Sequence, residues 1–562
     1  MPAKRTFATA CALTAGALLA AGLPAGAAMA APKPLDAPVF SEPGGRYTGS
    51  TTVELSSQPG TKIHYTLDGS TPTKDSPQYR GPITIDESTN LAAIAVRGRF
   101  VSETEIEGYV VKSAEEPKLS FVVMSDVHTS SLSEVNRARW AANFDTLKTL
   151  VPDPDLIISN GDQINDNNWN TAPDHQVVRT IFEENLDRLD LADTPVLMTH
   201  GNHDVRNSDM AQYYPADWFP GGATGYYERK VGDSTFLIVD TEAYSGAQRT
   251  WLKSRLAALT AEPGAVDEPV FVVGHRPTSG TIMDGAQSSN PALNADLSAF
   301  PQAVYFSGHS HLHLNDERSI WQGSYTAVND GSMSYTETPH DAYQVYGDAL
   351  YDEFTIATAQ ALVVDVYDDR TEIERINFAA EPERTYTLDG TWGQYQQDAP
   401  FDSAGTLAGR TWTVRLDGST PEEVRANFDY TRAARDAVTP VMTGTPTVTV
   451  NGAGTSVLRV PAASDDNTVY GYDVRVKDAA SGAAALPIRA GAKVLSDFQF
   501  APRPSVLEIP LAVINGRLPG TKVGLTTGTA YVAEVTAVDM VGNRSETVTV
   551  EFVAGVASDE ED

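Results

Sequence analysis

The stretch Thr199-His200-Gly201-Asn202-His203-Asp204 decides how the rest of the sequence is interpreted. It follows the short apolar run 195–198, which predicts a strand that delivers a loop opened by glycine. In this loop, Asn202 offers a neutral oxygen to a hard cation, and His203 can donate a proton or a hydrogen bond to an oxyanion. The stretch alone is a weak signal, because Gly-Asn is also common turn material.

Four further stretches between residues 117 and 378 repeat this arrangement of an apolar run followed by metal-type side chains. The apolar runs alternate with helical patterns, such as those over 134–150 and 177–191, which predicts an α/β layered fold. In such folds, ligands gather at the carboxyl ends of the strands. The runs are followed in chain order by Asp126 and His128, by Asp162, by the opening stretch, by His275, and by His309 and His311.

The ordered set D-x-H, G-D, G-N-H-D, G-H and G-H-x-H resembles the signature of calcineurin-like metallophosphoesterases. For residues 117–378 the resemblance implies a four-layer αββα sandwich that hydrolyses phosphoric esters. It also implies two divalent metal ions and attack by a hydroxide that bridges them. The resemblance assigns Asp126, His128 and His311 to the first metal, Asn202, His275 and His309 to the second, and Asp162 to both.

The residue types support two ions independently of the resemblance. Carboxylate, amide and imidazole ligands without thiolate suit Mn, Fe or Zn, and seven such ligands are too many for one ion. Two cations about 3.5–4 Å apart activate a shared water and clamp both the attacking and the leaving oxygen. His203 is then left as the catalytic residue that protonates the leaving oxygen or stabilises the charge that develops on it, and Asp204 is predicted to orient it.

One position departs from the family pattern. Some subfamilies place an aspartate three residues after the bridging aspartate to support the catalytic histidine, but here Asn165 occupies that position and Asp166 follows. The subfamily therefore stays open. Arg206 and Arg276 flank the site in sequence, either touching phosphate or facing solvent, and the remaining histidines near these motifs are interpreted as ordinary ones: His175, His200, His313 and His340.

The regions on either side are predicted to be all-β. Over 37–113, the strand pattern 62–67 ends on Asp68-Gly69, a hairpin signal, and the segment resembles the Ig-like module at the C-terminus of chitobiases and hexosaminidases. Over 441–554, the stretch 531–545 resembles a fibronectin type III sandwich, with a long connection between Asp478 and Gly524 that predicts an inserted loop or hairpin. Residues 379–440 are interpreted as a connector with one helix over 421–437.

The two ends of the chain carry no predicted fold. Residues 1–30 have the pattern of a signal peptide, with Lys4 and Arg5 before an apolar stretch and Ala28-Met29-Ala30 as a cleavage site. The single cysteine, Cys11, lies inside this segment. Residues 555–562 form an acidic tail. Since no second long apolar run follows, a secreted or cell-wall-associated product without a membrane span is expected.

The acidic composition limits the classes of molecule that this protein is expected to bind. A net charge of −33 repels polyanions, which disfavours nucleic acid and anionic lipid as partners. A local metal cluster can still bind one phosphate, so a small phosphate ester is the expected substrate, and glycan contact is expected through the flanking sandwiches. Three functions fit this sequence: a secreted phosphoesterase for a mono- or diester, a catalytically idle wall-binding protein, and an extracellular nuclease. The complete ligand set speaks against idleness, and the charge speaks against the nuclease.

Overall fold

The computed structural model describes most of the chain between residues 35 and 556. The predicted signal peptide, Cys11, Asp166, Arg206, His340 and most of the predicted acidic tail lie outside the described residues. In the part of the chain that is described, no helix is both long and apolar enough to span a bilayer. The described ranges are 35–165, 172–204, 210–261, 268–282, 290–339, 341–351, 355–380, 396–398, 403–435, 438–465, 468–515 and 521–556.

The N-terminal module is a β-sandwich whose main sheet has the strand order β2-β9-β7-β5, with β8 beside β7. Alternating apolar side chains, including Ile63 and Leu91, form its core. After the Asp68-Gly69 turn, the chain pairs with β5 only through an isolated antiparallel bridge between His64 and Gln78. The predicted hairpin therefore lacks a full second strand. The strands are β1 Val39–Phe40, β2 Gly45–Thr48, β3 Thr51–Val53, β4 Leu55–Ser56, β5 Lys62–Thr66, β6 Ile83–Ile85, β7 Thr89–Arg97, β8 Phe100–Val101 and β9 Glu105–Lys112.

The central region contains two six-stranded sheets. Its helices are Glu134–Leu150, Ala172–Arg188, Gly246–Leu259 and Pro291–Leu297, and the first begins and ends at the predicted residues. Its strands are β10 Leu119–Met124, β11 Leu156–Asn160, β12 Val196–Thr199, β13 Tyr227–Val231, β14 Ser234–Ile238, β15 Val270–Val273, β16 Ala303–Ser307, β17 Ile320–Gln322, β18 Thr326–Asn329, β19 Thr336–Glu337, β20 Ala342–Tyr346, β21 Ala349–Tyr351, β22 Thr355–Ala357, β23 Ala359–Val366, β24 Thr371–Phe378, β25 Gln396–Asp398 and β26 Trp412–Val414.

These two sheets stack face to face, with strand orders β12-β11-β10-β23-β24-β26 and β13-β14-β15-β16-β18-β17. Phe121 of the first sheet packs edge-on against Phe236, Phe271 and Phe306 of the second. One helix pair covers the outer face of the first sheet, and the other pair covers the outer face of the second. The predicted αββα sandwich is therefore confirmed.

Parallel pairing brings the functional loops to one edge of the sandwich. Strands β10, β11 and β12 run parallel in the first sheet, and β15 and β16 run parallel in the second. Since parallel strands end at the same side, the loops that follow all five strands meet there. The predicted closing hairpin is present as the antiparallel pair β23 and β24, which completes the first sheet beside β10.

The C-terminal sandwich recruits strands from the central region. Its eight-stranded sheet has the order β33-β32-β21-β20-β30-β29-β34-β35, so β20 and β21 belong to it although the predicted boundary of 378 assigned them to the central domain. Tyr343 and Leu350 of these strands are buried in its core. The remaining strands are β27 Thr447–Val450, β28 Ser456–Pro461, β29 Val469–Asp478, β30 Lys493–Leu495, β31 Val506–Pro510, β32 Ala512–Asn515, β33 Thr521–Gly524, β34 Ala530–Asp539 and β35 Val548–Val553.

The predicted connector is partly built into the central domain. Strand β26 pairs with β24, and the Trp412 indole Nε1 donates to Glu317 at 2.9 Å. The helix predicted over 421–437 spans only Pro421–Ala426. It ends there because the Tyr430 backbone N–H donates to the Gln322 side chain, at 2.8 Å, rather than to a helical carbonyl.

Candidate metal centre

The first predicted ligand set converges in the structure. Ligand atoms of Asp126, His128 and His311 lie within 4.8 Å of one another, and all three side chains are buried. The Nε2 atoms of the two histidines are 3.2 Å apart, and His311 Nε2 is 3.0 Å from Asp126 Oδ1. Two imidazole nitrogens and a carboxylate oxygen that face one another at these distances can hold a divalent cation.

The second set lies beside the first and shares Asp162 with it. Ligand atoms of Asp162, His275 and His309 also lie within 4.8 Å of one another. The Oδ2 atom of Asp162 is 3.1 Å from His275 Nε2 and 3.8 Å from His128 Nε2, so it reaches members of both sets. Its other oxygen, Oδ1, accepts the His203 backbone N–H at 2.7 Å, which fixes the carboxylate in this orientation.

Asn202, the remaining predicted ligand of the second set, lies in the loop beside Asp162. The loop that carries it lies against Asp162 through the His203 backbone, and the Asn202 Oδ1 atom is buried with no hydrogen-bond partner among the described residues. Asp126 Oδ1 and His275 Nε2 are likewise buried, and each faces another group of the centre, His311 Nε2 at 3.0 Å and Asp162 Oδ2 at 3.1 Å. A buried polar atom without a partner costs about 1–3 kcal/mol, so the Asn202 amide oxygen fits a divalent ion bound by nitrogen and oxygen ligands.

Backbone carbonyls orient three of the imidazoles. The Nδ1 atoms of His128, His275 and His311 lie 3.1, 2.9 and 3.0 Å from the carbonyl oxygens of Ile164, Asn160 and Tyr335. An Nδ1–H that donates to a carbonyl leaves the lone pair on Nε2, the atom that faces the cluster. In His309 the two nitrogens exchange roles. The Arg276 guanidinium donates to Nε2 at 2.8 Å, which leaves Nδ1 as the nitrogen that can bind a metal ion.

The backbone at the centre is strained. Among the described residues, seven non-glycine positions have a positive φ, and five of them are predicted ligands. Left-handed backbone costs an L-residue about 1–2 kcal/mol, so its concentration at one site indicates function. The five ligands are Asp126, His128, Asp162, His309 and His311, with φ angles between 44° and 65°.

The charges of the centre are strongly coupled. Burial alone would raise the pKa of Asp126, but His311 and His128 outweigh it and hold this pKa well below its usual range. Burial would lower the pKa of His275, yet Asp162 outweighs it and raises this pKa to about 10. The carboxylates that draw protons to these imidazoles also draw divalent cations, and cation binding requires deprotonated imidazole nitrogens.

His203 lies at the mouth of the centre rather than inside it. Its side chain is 35% exposed, and its Nε2 is 4.0 Å from Asp162 Oδ2. The Nδ1 atom lies 3.1 Å from the backbone carbonyl oxygen of Asn165, so the residue at the departing position supports the histidine through its main chain. Any residue type at position 165 offers this carbonyl, so the histidine has a partner here even though asparagine replaces the aspartate of some subfamilies.

The Asp204 carboxylate makes its hydrogen bonds to backbone groups rather than to the His203 side chain, so its predicted orienting role stays a prediction. Its carboxylate accepts the backbone N–H groups of Gln163 at 2.9 Å and Gly201 at 3.0 Å. Burial and the neighbouring Asp162 raise the pKa of Asp204 to about 7. Asp204 thus ties together the two loops that carry Asp162 and Asn202.

Several residues that shape the centre belong to no sequence motif. Tyr335 contributes the carbonyl beneath His311, with ring centroids 4.3 Å apart, although it lies in no motif. Glu242 holds Arg276 by contacts of 2.6 and 2.9 Å. Two histidines interpreted as ordinary have partners elsewhere, His200 at Asp240 and His175 at Tyr214.

Comparison with known families agrees with this geometry. Residues 119–313 match the model of the calcineurin-like phosphoesterases. They form a calcineurin-like phosphoesterase domain. Residues 42–106 match the chitobiase/beta-hexosaminidase C-terminal domain. These two predicted resemblances and the predicted phosphoric ester hydrolase are confirmed, whereas the resemblance of residues 441–554 to a fibronectin type III sandwich stays a prediction.

Similar solved structures include PhoD, at 12% identity over 62% of this chain and 87% of that chain, with a TM-score of 0.32. The purple acid phosphatase PPD1 from yellow lupin (Lupinus luteus) seeds has 12% identity over 61% and 72% of the two chains, with a TM-score of 0.30. No curated protein sequence matches the chain. The assignment of the phosphoesterase domain therefore rests on the family match.

Proposed function

We propose that this protein is an exported, dinuclear metal-dependent phosphoesterase that acts on a phosphomonoester or phosphodiester. The observation that supports two ions is Asp162, whose Oδ2 atom reaches the imidazole nitrogens of both ligand sets. Mn, Fe or Zn suit the nitrogen and oxygen donors. Export is proposed from the signal-peptide pattern of residues 1–30, and glycan contact by the flanking sandwiches stays a prediction.

The proposed mechanism divides labour between the ligands and His203. Two bound divalent ions would supply Lewis acidity, which lowers the pKa of water and neutralises charge on the phosphoryl oxygens. Hydrogen bonds fix the imidazoles of His128, His275 and His311 with Nε2 toward the cluster, so these side chains need not reorient when ions bind. The imidazole of His203 borders the cleft and is held at Nδ1 by the Asn165 carbonyl, so its Nε2 can pass a proton to the leaving oxygen.

The primary test is metal content together with turnover. The mature chain should contain close to two divalent ions per molecule, measured by plasma mass spectrometry, and should hydrolyse chromogenic phosphomonoesters or phosphodiesters. Chelator should abolish turnover, and added Mn, Fe or Zn should restore it. A chain with neither bound metal nor turnover under any of these ions would instead be the idle binding protein, and preference for oligonucleotides would favour the nuclease.

Two variants separate ligand from proton donor. His309→Ala removes a predicted ligand, so it should lose metal and turnover together. His203→Asn keeps all seven ligands, so it should retain metal and lose about 10²–10⁴-fold in kcat, the usual contribution of a general acid. Wild-type turnover by His309→Ala would contradict the ligand assignment, and loss of metal by His203→Asn would contradict the division of roles.

A further inference from the structure

The cleft at the metal centre is much larger than a phosphate group requires. It encloses about 870 Å³ and is bordered at one end by His203 and His311. Away from these histidines it is lined by Trp321, by Tyr430 of the segment after β26, and by Val541 of the C-terminal sandwich. A volume of this size accommodates a drug-sized molecule, so the cleft has room for the alcohol part of an ester as well as its phosphate.

An exposed guanidinium also lines the cleft. Arg432 has no hydrogen bond or ion pair to any described residue. The other two arginines of the lining are occupied: Arg318 pairs with Asp316 at 2.8 Å, and Arg435 donates to the carbonyls of Glu317 and Ile320. In a chain of net charge −33, a cation beside the cleft that no described residue pairs with favours an anionic ligand.

A buried hydroxyl in the cleft lining has no hydrogen-bond partner in the part of the chain that the structure describes. The residue is Thr338, which is 7% exposed, and the atom is its Oγ1. A buried hydroxyl without a partner is costly unless a ligand supplies one. Three acidic side chains also border the cleft: Asp162 belongs to the metal centre, Asp341 accepts the Tyr470 hydroxyl at 2.5 Å, and the third is Glu337.

We propose that the part of the cleft lined by Arg432 and Thr338 is a subsite for the leaving group, and that these two residues select esters whose alcohol carries a negative charge. The inference rests on the proposed phosphoesterase function and adds a substrate class to it. The segment that carries Arg432 is anchored to the phosphoesterase domain by Arg435, so the cation is held at the cleft although its own side chain is exposed. The reacting phosphate itself is left to the metal centre.

The test compares two esters that differ by one charge, phenyl phosphate and 4-carboxyphenyl phosphate, by kcat/KM in the metal-loaded full chain. Wild type should prefer the carboxylated ester. Arg432→Gln should reduce that preference by about 2–5-fold, as expected for an exposed ion pair, and Arg432→Glu should reverse it. Thr338→Val keeps the side-chain shape and should raise KM for the carboxylated ester more than it changes kcat.

Arg80→Gln in the N-terminal module is the matched control, because Arg80 is an exposed arginine far from the cleft residues in sequence and should leave the preference unchanged. Equal preference in wild type, Arg432→Gln and Arg432→Glu, with both esters hydrolysed, would overturn the subsite while leaving the phosphoesterase intact. If wild type hydrolysed neither these esters nor their diester counterparts with any ion, the proposed function would fail, and the subsite with it.

Discussion

At the scale of single residues, glycines determine how closely the ligand loops approach one another. A β-carbon on Gly201 would lie 2.2 Å from the backbone nitrogen and from Oδ1 of Asp162. Similar contacts of 2.4 Å would arise at Gly161 against His275 and at Gly308 against Ser125. Each of these glycines directly precedes a predicted ligand. The ligand geometry therefore depends on backbone segments that pass too close to neighbouring groups to leave room for a β-carbon.

Gly201→Ala should therefore displace the Asp162 carboxylate, weaken metal binding and destabilise the fold by about 1–3 kcal/mol, the usual cost of overpacking. Metal retained after dialysis and the thermal unfolding midpoint report these effects. Gly246→Ala is the control, because its β-carbon would meet no atom within 4 Å and it begins a helix. Wild-type metal retention by Gly201→Ala would contradict the close approach.

At the scale of elements, a buried charge network joins the N-terminal sandwich to the phosphoesterase domain. Lys112 at the end of β9 is 3% exposed and lies 3.0 Å from Asp365 of β23 and 2.8 Å from Glu374 of β24. Burial would raise the pKa of Asp365, but Lys112 and Arg46 outweigh it and lower this pKa. A lowered carboxyl pKa stabilises the fold at neutral pH, and this stabilisation is lost as the pH falls through the folded-state pKa.

Lys112→Met should destabilise the fold by about 3–5 kcal/mol, because it leaves buried carboxylates without their cation. Urea unfolding at neutral pH measures this change. Lys118→Met removes a lysine that is 44% exposed and lies 2.5 Å from Asp368, itself 77% exposed, and 3.9 Å from Glu268. Because both ion pairs lie in solvent, it should cost no more than about 1 kcal/mol. Equal effects of the two substitutions would show that the buried network is not what joins the two elements.

At the scale of the whole molecule, the C-terminal sandwich is part of the same structural unit as the phosphoesterase domain. Strands β20 and β21 leave the central region to pair with β30 and β32. The Arg318 guanidinium lies 4.2 Å from the centre of the Tyr470 ring, close to the substrate cleft. The sandwich is therefore not a tethered module, and its loops help to define the cleft.

Leu350→Ala should destabilise the C-terminal sandwich by about 2–5 kcal/mol, although residue 350 lies in sequence before the end of the phosphoesterase fold. The reason is that Leu350 is fully buried in the core of that sandwich. Faster hydrogen exchange in β29 and β34 would reveal the effect. Leu132→Ala is the control, because Leu132 is 37% exposed, and it should leave hydrogen exchange in β29 and β34 unchanged. If exchange changed in neither variant, β21 would lie outside the sandwich core.

The sequence by itself determined the order of elements and the set of metal-type residues. These residues follow the ends of strands, so parallel pairing in one sheet brings Asp126 and Asp162 to one edge, whereas His275 follows a strand of the second sheet and meets them only because the two sheets stack. The helix Glu134–Leu150 was predictable at both ends because Ser133 caps its first turn and apolar side chains recur on one face.

Only the tertiary structure decided what depends on partners distant in the chain. The pairing of β20 with β30 joins residues about 150 positions apart, which no local pattern encodes. The carbonyls of Asn165 and Tyr335 orient histidines through main-chain atoms that every residue type possesses. Arg432 and Thr338 face the cleft because separate segments fold against it, so their role follows from position in space rather than from any motif.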